Sequence, residues 1–189
     1  MFALSSHATR GRLEGEGFAA GEDGAGLFKF TPSPRYIADM AALGFAGIDD
    51  EKLLHYALHD VSLAFAREMK AANIEGLDAE RLLAFRIFKV DAAFLAALKA
   101  EGFKSFQAQR LIAFRIHKVT PEYIAAVHKL DFFPTSEQLT AMRIHRVTPE
   151  YIQGLLDKGV KNLTVDQLIK LRIDRKSTRL NSSYTDISR

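Results

Sequence analysis

The segment RIHKVTPEYI, Arg115–Ile124, returns as RIHRVTPEYI, Arg143–Ile152, with nine of ten residues unchanged at an offset of 28. Repetition of this kind dictates the fold before any other feature, because each copy is one supersecondary unit that hides its apolar face only against its neighbours. Aligned on the arginine, the copies place Arg86, Arg115, Arg143 and Arg172 at spacings of 29, 28 and 29, with Ala57 in an earlier, weaker copy. The aromatic column reads Tyr36, Phe65, Phe94, Tyr123, Tyr151, and four residues on come Met40, Met69, Leu98, Val127, Leu155. A second apolar column, Phe45, Ile74, Phe103, Phe132, Val160, follows a Gly, Asn or Asp each time, and Leu53, Leu82, Leu111, Leu139 and Leu168 close the pattern.

Each copy carries the grammar of two short helices. Ser33, Ser62, Asp91, Thr120 and Thr148 are caps able to accept the free N–H groups of a first turn. Pro34, Pro121 and Pro149 follow at the first helical position, where a missing N–H costs nothing. Glu122 and Glu150 complement the positive end of the helix dipole, and Gly44, Gly102 and Gly159 end the helix. A second helix starts near Asp49, Asp78, Thr135 or Thr164; Thr135 with Gln138 and Thr164 with Gln167 fit a capping box, while Gln107 is a poor cap. Connections of a few residues make neighbouring helices antiparallel. The expected fold is mainly α: a short N-terminal antiparallel β-hairpin within residues 1–32, then an α-solenoid of about five αα-hairpin repeats over 33–174. The units are 33–61, 62–90, 91–119, 120–147 and 148–174. The hairpin rests on the glycine-rich RGRLEGEGFAAGEDGAGLFKFTP with its alternating LFKF. FALSS ahead of it reads as the middle of a strand, as at the trailing edge of a sheet that begins further upstream.

Charge narrows the function classes. The pI near 9.1 suggests a polyanion partner, but residues 175–189, RKSTRLNSSYTDISR, hold four basic residues and one acid. Without them, 26 less 4 basic and 23 less 1 acidic residues leave 22 of each. The body is neutral, which argues against nucleic acid as a partner. The tail is Ser-rich without apolar periodicity and resembles translated sequencing-adapter read-through, and residues 175–189 are expected to be disordered. Cysteine is absent, which excludes disulfides, a thiol nucleophile and thiolate metal sites. No run of about 18 apolar residues occurs, so no membrane span is expected in this chain.

Two columns are candidates for chemistry. Arg86, Arg115, Arg143 and Arg172 are able to line a ridge that receives carboxylates or phosphates. The competing reading places each near the end of a second helix, bonding terminal carbonyls or pairing with Glu122 and Glu150. His117 and His145, with His59, form the other column, shared with Phe88 and Asp174. Helix axes about 8–10 Å apart keep neighbouring members from sharing one metal. His55 and His59, as HYALH, stand four apart on one helix face, without the Glu of HExxH and without a clustered third ligand, so no metal site is expected. GEDGAG lies inside the hairpin rather than between strand and helix. GxSxG, P-loop and GxGxxG patterns are absent, and no catalytic residue or cofactor is implied.

The phrases RIHKVTPEYI and ALHDVSLAFAREMKA, preceded by EGEGFAAGEDGAGLFKFTP, resemble tandem helical repeats of the bacterial antibiotic-sensor membrane metallopeptidases and related envelope proteins. The likeness covers roughly Arg12 to Asp174 and rests on repeat consensus. Without HExxH, peptidase activity does not carry over; the resemblance implies an appendage beside a sensor in the bacterial periplasm or envelope. The expected function is therefore noncatalytic: a protein- or peptide-binding module, the sensing or scaffold part of a longer protein. Its expected binding residues are Arg86, Arg115, His117, Arg143, His145 and Arg172. A nucleic-acid-binding repeat protein, or the accessory region of a metallopeptidase whose catalytic part lies upstream, are the alternatives.

Overall fold

The computed structural model describes residues 2–8, 11–20 and 23–174. Strands β1 (Phe2–Ala8), β2 (Gly11–Ala20) and β3 (Asp23–Pro32) form an antiparallel sheet in the order β1-β2-β3. The expected hairpin is the β2–β3 pair, in register from Gly11 opposite Pro32 to Ala20 opposite Asp23. FALSS extends it as a third strand, with Phe2 opposite Gly17 and Ala8 opposite Gly11. Gly11 is needed there: a Cβ would stand 2.6 Å from the Thr31 carbonyl oxygen. The first two residues of GEDG, 21–22, and the Ser-rich tail 175–189 lie outside the described residues.

Helices follow without interruption: α1 (Pro34–Ala42), α2 (Asp50–Leu58), α3 (Leu63–Ala71), α4 (Ala79–Ile87), α5 (Ala92–Ala100), α6 (Ala108–Ile116), α7 (Pro121–His128), α8 (Ser136–Ile144), α9 (Pro149–Leu156) and α10 (165–174). The caps act as their chemistry requires. Ser33, Ser62, Thr120 and Thr148 accept the N–H three residues on, and so do Asp49 and Asp78. Thr135 with Gln138, and Thr164 with Gln167, bond reciprocally as capping boxes. Gln107, the poor cap, instead sits in a short bridge: Glu75 donates its N–H to the Phe106 carbonyl and accepts that of Ala108, while Gln107 Nε2 donates to the Glu75 carboxylate.

Contacts divide the chain into two compact units, Met1–Ala92 with Ser105–Gln109, and Ala93–Lys104 with the chain from Arg110 onward. In the first unit β3 lies against α2 and α1 against α3, over a core of Tyr36, Met40, Leu53, Tyr56, Met69, Leu82 and Phe85. In the second, α7 packs against α9, and the core is Leu98, Leu111, Ile124, Val127, Leu139, Met142, Ile152 and Leu168. Helices of eight or nine residues are too short to persist alone in water; burial at about 1.5–3 kcal/mol per large apolar side chain holds them. The second apolar column is unequal: Phe45 and Ile74 are buried, whereas Phe103, Phe132 and Val160 are half-buried.

Candidate functional site

The arginine-bearing ends of the second helices are built on a backbone motif. In α2 the N–H of Val61 bonds the Tyr56 carbonyl, and that of Asp60 bonds Ala57. The same two bonds close α4 through Val90 and Lys89, α6 through Val119 and Lys118, and α8 through Val147 and Arg146. This Schellman arrangement requires a left-handed residue before the valine, and Asp60, Lys89, Lys118 and Arg146 supply it at φ of 54 to 58°. A side chain in that region costs roughly 1–2 kcal/mol relative to glycine. Each of the four valines is buried to within 1 %, which explains why that letter recurs.

The motif uses two of the terminal carbonyls and leaves the next two open. Arginine takes one. Arg86 Nε donates to the carbonyl of His59 at 3.0 Å, while its Nη2 meets Asp60 at 3.2 Å. Arg143 Nε donates in the same way to the carbonyl of His117 at 3.3 Å. Every guanidinium of the column also lies over the aromatic residue 20 or 21 positions earlier: Arg86 over Phe65 at 5.1 Å, Arg115 over Phe94 at 4.2 Å, Arg143 over Tyr123 at 4.8 Å and Arg172 over Tyr151 at 4.7 Å. Such contacts are worth about 0.5–2 kcal/mol each. The geometry matches the structural reading of the column in its carbonyl bonds. The acid paired with Arg86 is Asp60, however, not a first-turn glutamate.

Three buried tyrosines, Tyr123 of the ring column among them, are tied to backbone carbonyls. Tyr36 donates its hydroxyl to the Val61 carbonyl, Tyr56 to that of Ala79, and Tyr123 to that of Val147 at 2.7 Å. Burial pushes the Tyr123 phenol up to about 12, against an opposing pull from Arg143, and raises that of Tyr56 still further. Tyr151 differs: its hydroxyl is buried with no hydrogen-bond partner among the described residues.

The histidines occupy the last, half-in position of the helix. His59 and His145 are C-caps and exposed, and His117 is half-exposed. Phe88 fills the same place on α4, so the position asks for a backbone carbonyl rather than an imidazole. His55 and His59 stack with ring centroids 6.5 Å apart. Among the described residues no group of three His, Asp or Glu stands close enough to hold a metal ion.

Sequence reasoning missed the residue beside each arginine. Leu58, Ile87, Ile116, Ile144 and Ile173 recur at offsets of 29, 29, 28 and 29, and all are exposed, Ile116 at 50 % and Ile144 at 53 %. The signal was present in the repeat, since an apolar residue follows every arginine of the column, but periodicity does not tell a core position from a surface one. In the second unit Ile116 and Ile144 each stand two residues before an exposed left-handed cation, Lys118 and Arg146. Neither cation has an ion-pair partner among the described residues. Glu122 and Glu150 begin the following helices, their carboxyls held below the usual range by hydrogen bonds from Thr120 and Thr148 and from their own backbone N–H groups.

Elsewhere, a shallow depression of about 170 Å³ in the first unit is lined by Leu43, Gly44, Phe45, Lys70, Asn73, Ile74 and Leu77. Lys70 Nζ donates there to the Leu43 carbonyl. No described helix is long and apolar enough to cross a membrane. No protein-family model, curated protein or solved structure matches the chain.

Proposed function

We propose that the chain is a noncatalytic helical-repeat module that binds a protein or peptide along the edge where second helices end. It would serve as the sensing or scaffold part of a longer bacterial envelope protein, a setting that rests on the repeat resemblance alone. One observation carries the binding reading: an aliphatic side chain stands exposed at the same place in every repeat, with Ile116 and Ile144 half open to water. A fold does not need an exposed isoleucine at a fixed position, whereas a binding edge does. Stacked repeats offer extended faces of this kind. Nucleic acid fits less well, since Glu122 and Glu150 would meet its phosphates.

The arginines and histidines take a different part from the ridge expected of them. Arg86, Arg115, Arg143 and Arg172 hold rings, and two of them hold helix-end carbonyls. Charge reversal at Arg115 and Arg143 therefore disturbs packing together with any binding. The cleaner experiment is an affinity pull-down from bacterial envelope extract with the full chain, beside Ile116→Ser/Ile144→Ser. A partner held by the first and released by the second, with both equally helical by circular dichroism, supports the module. Equal retention by both moves the binding face elsewhere.

A further inference from the structure

The left-handed residues that close the helices fall into two sets, at the ends of first and of second helices. Where first helices end, the residues are Gly44, Asn73, Gly102, Asp131 and Gly159. These are the types that visit that conformation at least expense. Where second helices end, the same backbone motif is filled by Asp60, Lys89, Lys118 and Arg146. Gly44, Gly102 and Gly159 lie at φ of 79 to 97°, whereas the non-glycine residues of both sets share 51 to 61°, so the comparison on equal backbone is with Asn73 and Asp131, short polar types suited to that conformation. Long cationic side chains at Lys118 and Arg146 therefore stand where Asn and Asp serve at the equivalent ends of first helices, and strain retained in this way points to use of the side chain. Both are exposed, and both lack an ion-pair partner among the described residues.

We propose that this edge of the second unit binds an extended acidic peptide, its carboxylates on Lys118 and Arg146 and its apolar side chains on Ile116 and Ile144. The assignment rests on the module reading above and adds the chemistry of the partner. Charge complementarity and spacing both favour it. Packed helices lie about 8–10 Å apart, and an extended peptide in the polyproline II conformation advances about 3.1 Å per residue with three residues per turn. Successive repeats then meet every third residue of the peptide, so acidic residues three apart face Lys118 and Arg146 in turn. Ile116 and Ile144 stand two residues from these cations and receive the apolar positions between. A continuous polyanion or an anionic bilayer is disfavoured, because each cation is followed four residues on by an acid, Glu122 or Glu150, in the first turn of the next helix. A peptide passes them, and its backbone N–H groups are suitable donors to those carboxylates.

The test is selection of a randomised peptide library on the full chain and on Lys118→Gly/Arg146→Gly. Glycine suits both positions, so that variant is expected to keep or raise its melting temperature. Enriched peptides should be acidic with a three-residue period, lose roughly tenfold or more in affinity on the variant, and weaken as salt rises. Ile116→Ser/Ile144→Ser should lose the same peptides at unchanged charge. Enrichment of neutral or basic peptides overturns the acidic assignment and leaves the module standing. Absence of enrichment of any peptide overturns both. Binding only to single-stranded DNA or to phosphatidylglycerol vesicles, run alongside as probes, also overturns the peptide assignment. If acidic peptides bind the glycine variant equally well, the cations are not the site.

Discussion

Two tyrosines in equivalent places should respond in opposite directions to loss of one oxygen. Tyr123 donates its hydroxyl to the Val147 carbonyl at 2.7 Å, in a region where Val147 is buried. Tyr123→Phe removes a bond worth about 0.5–1.5 kcal/mol net and leaves a buried carbonyl unsatisfied, so a loss of about 1–2 kcal/mol is expected. Tyr151 has its hydroxyl buried with no partner among the described residues, and such a group costs roughly 1–3 kcal/mol while it stays. Tyr151→Phe should therefore be neutral or stabilising by up to about 1 kcal/mol, since the ring stays beneath Arg172. The offset from Tyr36 to Val61 is 25 and from Tyr123 to Val147 is 24. The positions at those offsets from Tyr151 lie outside the described residues. Urea unfolding followed by circular dichroism, with amide hydrogen exchange to resolve units that open separately, measures both variants. Equal losses for Tyr123→Phe and Tyr151→Phe would refute the reasoning and show that the Tyr151 hydroxyl is paired in solution.

Other consequences are quickly checked. Arg143→Ala removes a carbonyl bond and a ring contact and should cost about 1–2 kcal/mol in urea unfolding; Arg143→Lys should recover only part of this, because ammonium lacks the planar fork. Thr135→Ala opens a capping box, with an expected loss of about 1 kcal/mol. The Tyr123 phenol is raised from 10.0 to about 12. Its contribution to stability is complete below pH 10 and lost as pH rises through 12, because the unfolded chain ionises first. Phenolate absorbance should show this group titrating about two units above free tyrosine, together with the loss of helix, and Tyr123→Phe should delete that step.

Most of the architecture was legible because it is written in chemistry with one structural meaning. Ser33, Ser62, Thr120 and Thr148 cap helices in almost any context, and Gly44, Gly102 and Gly159 end them. The third strand was harder to place, because FALSS alternates too briefly to fix a partner or register, and pairing with β2 is a non-local contact. The left-handed Lys89, Lys118 and Arg146 escaped notice for a different reason. Residue type argues against that conformation, and only the bond from the following valine to the carbonyl five residues earlier discloses it. The candidate site was half legible. Repetition marked Arg115, His117, Arg143 and His145 as important, but an arginine capping a helix end and one awaiting a ligand read alike until its partners are known.

The short run between arginine and valine separates what the fold demands from what it tolerates. Arg143 is required for its carbonyl bond and ring contact, and Val119 for its burial. Between Arg115 and Val119, the residues Ile116, His117 and Lys118 contribute a helix end, a half-in cap and a left-handed step. All three are backbone tasks. Serine, asparagine and glycine perform them at least as well, the last with less strain. Yet Ile-His and a basic residue reappear at 144–146, which is more repetition than backbone geometry asks for. The variant Ile116→Ser/His117→Asn/Lys118→Gly should consequently unfold within about 1 kcal/mol of the parent chain, while losing whatever the edge binds. A destabilisation of more than about 2 kcal/mol by urea unfolding would place these side chains in the stack, and the repeated edge would then be architecture throughout.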